Sequence, residues 1–264
     1  MIRRLWLIGC GNMAGAMLDR WLASAVLTPA DVVVVNRRDR ALPPGVAQVR
    51  ALPPGPMPDA VMLGMKPQQL DDVTAAHAAR LAGLGCLISI LAGVEEAALA
   101  QRFAAGAIVR AMPNLPVAIG QGVVALHSDS ATAPVRADVA QLMAPLGLVE
   151  WVAPAQFDLV TALAGSGPAF LYRYVDAMSR AGAALGLPGD QAARLALATV
   201  AGAVSLATAA REAPAALAER VASPGGSTRK GLDVLDADDA LARLLTHTLA
   251  AAAARNAELA AAAR

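Results

Sequence analysis

Cysteine is almost absent from this chain of 264 residues, which holds only Cys10 and Cys86. Two thiols make no disulfide framework, so small cross-linked secreted domains are excluded and a reducing, cytoplasmic setting is expected. Charge of either sign is scarce in the balance: the formal net charge is +1, and no electrostatic case exists for nucleic acid or an acidic membrane as partner. Lysine is confined to Lys66 and Lys230. The three histidines, His77, His127 and His247, have no partners at the spacing of a metal site or a catalytic triad, so no metal is expected. Long hydrophobic runs are also missing, although the mean hydropathy is high at +0.49. The longest uncharged helical stretch, between Arg194 and Arg211, is 16 residues and contains Thr199, Gly202, Ser205 and Thr208. That is short for a membrane span, and such a helix is expected inside a domain or between subunits. Arg3-Arg4 is followed only by the short run Leu5–Gly9, which reads as a first strand and not as a signal peptide.

What is present alternates in the first half. Leu5–Ile8, Asp31–Val35, Ala60–Met65, Cys86–Leu91 and Ala107–Met112 are short apolar runs, each followed by Gly, Pro or a polar residue. Met13–Ala25, Glu95–Phe103 and Val135–Leu146 have helical spacing, and Gly122–His127 and Leu148–Val152 add strands. This is the βαβ pattern of a parallel sheet with buried strands. After about Pro154 only Ala- and Leu-rich helical stretches follow, broken at Gly165–Pro168, Gly186–Gly189, Ala213-Pro214 and Pro224–Gly226. The last, Asp238–Arg264, reads as one helix capped by Asp236 or Asp238. The expected organisation is an α/β Rossmann domain over 1–154, a parallel sheet flanked by helices. An all-α domain follows over 155–264.

Chemistry enters at Gly9-Cys10-Gly11-Asn12-Met13-Ala14, between the first strand and a helix, the context a G-x-G-x-x-G/A fingerprint requires. Gly9 makes the turn, Gly11 lets backbone approach a pyrophosphate, and small Ala14 lets helix and strand pack closely. The second strand ends in Asn36-Arg37-Arg38, where an NAD-binding chain carries an acid for the ribose 2′-hydroxyl. An arginine pair suits a 2′-phosphate through charge-assisted bonds, which points to NADPH, with NADH also accepted. Met65-Lys66-Pro67 ends the third strand, Ala92 follows the fourth, and Asn114 closes Ala111-Met112-Pro113-Asn114; all fall at the carboxyl edge where such sheets bind ligands.

The helical half carries two polar glycine clusters, Thr161–Phe170 and Val221–Thr228. In the second, Pro224, Gly225 and Gly226 form a tight turn, with Ser227 and Thr228 as N-caps for a helix beginning near Arg229. A helix start with spare hydroxyls suits a small anion.

The ordered series G-C-G-N-M-A, N-R-R, K-P-Q, R-A-M-P-N, A-L-A-G-S-G-P-A-F and S-P-G-G-S-T resembles the pyrroline-5-carboxylate reductase family, over about residues 5–250. The resemblance implies NADPH-dependent reduction of 1-pyrroline-5-carboxylate to L-proline, and a helical domain that forms an intertwined dimer, in many members a decamer of five dimers. It also implies that Ser223, Gly225, Gly226, Ser227 and Thr228 hold the substrate carboxylate, and that Thr161 or Thr228 meets the ring nitrogen. Ala222 stands where Ser or Thr is common, and Ala164 replaces a common serine. The connection Leu42–Pro58 lacks the asparagine expected near the adenosine ribose. Other NADP-dependent imine or β-hydroxyacid reductases, and a non-catalytic cofactor-binding regulator, remain as alternatives at this point.

Overall fold

The computed structural model describes residues 1–262. Contacts divide the chain into two compact units, Met1–Ser166 joined by the chain from Ala252 onward, and Gly167–Ala251.

The first unit is built on eight strands: β1 Leu5–Ile8, β2 Val32–Val35, β3 Ala47–Val49, β4 Ala60–Leu63, β5 Leu84–Ser89, β6 Ala105–Pro113, β7 Gly122–His127 and β8 Gly147–Trp151. They lie in the order β3-β2-β1-β4-β5-β6-β7-β8. Every pairing is parallel except β6 with β7. The reversal of order at β1, between β2 and β4, is the switch point where doubly wound sheets open a crevice. β3 was not expected. It is three residues long, sits at the sheet edge and lies inside the Pro-rich connection, too short for any periodicity to show.

The buried strands need helices on both faces. Alternate residues divide cleanly: Leu5, Leu7, Val34, Met62 and Ile88 join one cluster, while Trp6, Ile8, Val61, Leu63 and Leu87 join the other. The first face is covered by α1 (Asn12–Ala23) and α4 (Ala133–Met143). The second is covered by α2 (Leu70–His77) and α3 (Glu96–Ala100). Trp21 of α1 is fully buried and donates from Nε1 to the carbonyl of Leu142 at 2.7 Å. Its replacement by alanine would cost roughly 3–5 kcal/mol. The buried thiols are inert filling: burial raises the Cys10 thiol and pushes Cys86 up to about 12.

After β8 the chain enters α5 (Phe157–Val160) and a π-helical turn, Thr161–Gly165. The second unit holds α6 (Gly167–Ala184), α7 (Gly189–Ala210), α8 (Pro214–Val221), α9 (Ser227–Asp236) and the start of α10 (Ala240–Ala262). Two expectations are corrected here. The long last helix begins at Ala240, because Asp238 and Asp239 take left-handed backbone, φ 52° and 54°, and interrupt it; residues 263 and 264 lie outside the described residues. α7 is also longer than its uncharged stretch, at 22 residues with a window of mean hydropathy 1.5, so by length and composition it reaches the size of a membrane span.

Candidate functional site

The loop after β1 is held against the loop after β4 by an absence of side chains. Gly9 has φ +83°, and a Cβ there would stand 2.7 Å from the Met65 Cβ and backbone nitrogen. A Cβ on Gly64 would meet the Gly9 carbonyl at 2.6 Å and Ala14 Cβ at 2.8 Å. Met65 is therefore the surface on which the glycine turn rests. Gly11 is the N-cap of α1, with no side chain bonded to the cap and no acidic residue in the first turn among the described residues. Asn12 and Met13 open the helix, so its first N–H groups face outward as a docking point for a phosphate.

Asn36 does something the sequence did not reveal. Its Oδ1 accepts from the Cys10 backbone N–H at 3.1 Å and its Nδ2 donates to Gln48 Oε1 at 2.9 Å. It thus staples the glycine turn to the edge strand. Arg37 and Arg38 are exposed at the tip of β2, with Arg37 paired to Asp72 at 2.7 Å. Arg40 joins them: its guanidinium donates to Asn12 Oδ1 at 2.9 Å, over the start of α1. Its proximity in sequence to the arginine pair was its one signal. Asp39, the carboxylate in this stretch, is engaged by Arg50 at 2.9 Å. Lys66 is exposed, and Pro67 begins a short 3₁₀ turn directly after it.

Further along the carboxyl edge is a pocket lined by Ala92, Arg110, Met112, Phe157 and Thr161, among others. Ala92 and Thr161, far apart in sequence, both line it. Thr161 Oγ1 donates to the Phe157 carbonyl at 2.8 Å, which leaves its oxygen free to accept a bond from a ligand. Arg110 stacks its guanidinium 4.0 Å over the Phe157 ring. Burial pushes this guanidinium below its ordinary value, opposed by the nearby charges of Glu95, Asp158 and Glu96. Its signal in the sequence was a single charge inside an apolar strand. Asn256 and Leu259, from the end of α10, complete the wall, and Asn256 donates to the Asp158 carbonyl at 3.1 Å.

Asn114 is 7% exposed and its amide is spoken for at both ends. Oδ1 accepts from Val123 N–H at 2.8 Å, and Nδ2 donates to the Ala164 carbonyl at 2.9 Å. It ties β6 to the π-helical turn that follows Thr161.

In the second unit, Gly225 has φ +73° and the Gly226 N–H donates to the Ser223 carbonyl at 2.9 Å, closing the turn. Gly226 is the N-cap of α9, so Ser227 and Thr228 are its first two helical residues and not its caps. The turn brings the extended backbone to Gly226, and the helix starts two residues sooner than expected. Among the described residues, the hydroxyls of Ser223, Ser227 and Thr228 make no hydrogen bond, while the neighbouring Arg229 is held by Glu219. Unpaired hydroxyls beside open helical N–H groups form an anion cradle.

Comparison with known proteins finds two family matches along the chain. The family described as "Pyrroline-5-carboxylate reductase dimerisation" matches residues 154–259, and "NADP oxidoreductase coenzyme F420-dependent" matches residues 4–93. A pyrroline-5-carboxylate reductase of Synechocystis is 36% identical over 242 residues, 88% of this chain and 90% of that protein. One from Pseudomonas aeruginosa is 35% identical over 274 residues, 97% of each. Among solved structures, a pyrroline-5-carboxylate reductase from Coxiella burnetii superposes with a TM-score of 0.87 at 29% identity, covering 98% of this chain and 99% of that one.

Proposed function

The chain belongs to the pyrroline-5-carboxylate reductase family, and we propose how its residues carry out the reduction of 1-pyrroline-5-carboxylate to L-proline with NADPH. The nucleotide fits the sheet unit as found: a glycine turn without room for side chains, an uncapped helix start, and an arginine cluster where an acid would repel the 2′-phosphate. Gly9, Gly11, Asn12 and Met13 take the pyrophosphate, and Arg37, Arg38 and Arg40 take the 2′-phosphate. Asn36 holds the turn. Met65, Lys66, Pro67 and Ala92 line the path toward the nicotinamide, and Asn114 fixes the backbone beside it. The bound cofactor supplies a hydride.

A protonated cyclic imine is already a good hydride acceptor, so the protein has mainly to position the substrate and exclude competing geometry. Ser223, Ser227, Thr228 and the backbone of Gly225 and Gly226 take the carboxylate. Thr161, its own hydrogen committed to Phe157, accepts the N–H of the ring. Thr228 is the other hydroxyl that can serve the ring nitrogen. The observation that carries this reading is the cradle of unbonded hydroxyls at the head of α9, in a segment matching the dimerisation family.

Residues 155–264 are read as the dimerisation and substrate domain and 1–154 as the nucleotide domain. The chain self-associates, and its reading is a dimer able to assemble further into a decamer, in the cytoplasm. Thr161→Val tests the chemistry: kcat for pyrroline-5-carboxylate should fall about tenfold, the worth of one good hydrogen bond in the transition state, with the KM for NADPH unchanged. Unaltered turnover removes Thr161 from the reaction.

A further inference from the structure

One cluster in the sheet unit takes no part in the reaction described above. Glu96 opens α3, His127 ends β7, and Asp129 lies in the turn that follows. One ligand atom from each stands within 4.8 Å of the others. The side chains of His127 and Glu96 are only 7% and 10% exposed, while Asp129 reaches solvent at 77%.

The ring of His127 is oriented from behind. Its Nδ1 lies 3.1 Å from the Val152 carbonyl oxygen, which can only accept, so Nδ1 carries the hydrogen. On its other side Nε2 faces two carboxylates, Asp129 Oδ1 at 3.5 Å and Glu96 Oε2 at 3.9 Å. Ligand–metal bonds of about 2.0–2.2 Å in a tetrahedron place neighbouring ligand atoms about 3.3–3.6 Å apart. The two separations from Nε2 lie at and just beyond that edge length.

The supporting contacts are those a coordination site requires. Glu96 is fixed by Ser130 Oγ at 2.6 Å and by the Asp129 N–H at 2.7 Å. The backbone carbonyl of Val152 sets the tautomer of the histidine. We propose that Glu96, His127 and Asp129 bind one divalent transition-metal ion of the zinc type, with water in the remaining position. The nitrogen and two oxygens suit a borderline ion better than calcium or magnesium, which take oxygen alone. The role is structural. The His127 ring packs edge-on against Phe157, with centroids 6.5 Å apart, and the Phe157 carbonyl holds Thr161. An ion here braces the wall behind the proposed reaction site.

The test uses the full-length enzyme stripped with a chelator and titrated with Zn²⁺ and with Co²⁺, so its readout is independent of turnover. One ion per chain is expected, with a visible Co²⁺ absorption of tetrahedral intensity and a Tm rise of about 5 °C in saturating zinc. Asp129→Asn alters an exposed side chain and should weaken binding at least tenfold without changing the fold. His127→Gln should abolish the Co²⁺ band, whereas His77→Gln and His247→Gln should retain it. Absence of stoichiometric binding in the wild type overturns the site. So does binding that survives both Asp129→Asn and His127→Gln, or a His127 Nε2 nitrogen resonance that does not move when zinc is added.

Discussion

The two units of this molecule bury their side chains in very different measure. The sheet unit packs complete strands out of water, with β1 and β4 buried at every position, and it closes both faces with its own helices. In Gly167–Ala251, among the described residues, only Ala192, Ala196 and Ala222 are buried, while Leu171, Leu195, Leu197, Val204 and Leu206 stand exposed. A sheet can complete its core within one chain. A set of helices with apolar residues all round cannot, and its missing partner is a second copy of the same surface. That is why α7 has the length and hydropathy of a membrane span while belonging to a segment that matches a dimerisation family.

The largest effect is therefore expected in the helical unit. Leu197 and Leu206 of α7 are 61% and 63% exposed. Leu197→Glu with Leu206→Glu should convert the oligomer to monomer by analytical ultracentrifugation and reduce activity by more than a hundredfold, because each burial lost is worth about 1.5–3 kcal/mol in both copies. An oligomer that persists would erase the contrast. A smaller loss, confined to the sheet unit, is expected from Gly64→Ala. The added Cβ would stand 2.6 Å from the Gly9 carbonyl and 2.8 Å from Ala14, and the backbone must shift. Tm should drop by several degrees, as for an overpacking cost of roughly 1–3 kcal/mol. The KM for NADPH should rise while the sedimentation profile stays that of the wild type. A normal KM would mean that the close approach of the two loops has no part in nucleotide binding.

The sheet unit was also the more legible one in the sequence, for the same physical reason. Strands such as Val32–Val35 and the glycine turn at Gly9 are local patterns, and they appear in the structure nearly where the periodicity puts them. Contacts between distant positions were not legible. Asn36, grouped in the sequence with the arginine pair, also grips Cys10 and Gln48. Arg110 and Phe157 are 47 positions apart and stack at 4.0 Å. Glu96 and His127 are separated by 31 positions, and no spacing rule joins them. The N-cap of α9 was placed one to two residues late because Ser227 and Thr228 are good caps by type, whereas the turn closed by Ser223 and Gly226 decides where the helix begins. In the helical unit the order of motifs carried the reading, since its packing partner is not in the chain.

The smallest effect asks whether coenzyme choice is confined to the sheet unit. Arg38 has no ion pair among the described residues, whereas Arg37 is held by Asp72 at the surface. An exposed pair of this kind is worth about 0–1 kcal/mol, so Arg37 can leave Asp72 for a phosphate at little cost. Arg38 needs no such exchange. Arg38→Ala should raise the KM for NADPH about tenfold, near the 1.4 kcal/mol of one charge-assisted contact, and leave the KM for NADH within twofold. Arg37→Ala should shift it less, by about threefold, because the lost contact is offset by the salt bridge that no longer has to be broken. Neither variant should change the KM for pyrroline-5-carboxylate, whose carboxylate is assigned to the head of α9. If both coenzymes weaken together, the arginines bind the shared diphosphate and the preference for the 2′-phosphate rests on Arg40, whose guanidinium already lies over Asn12.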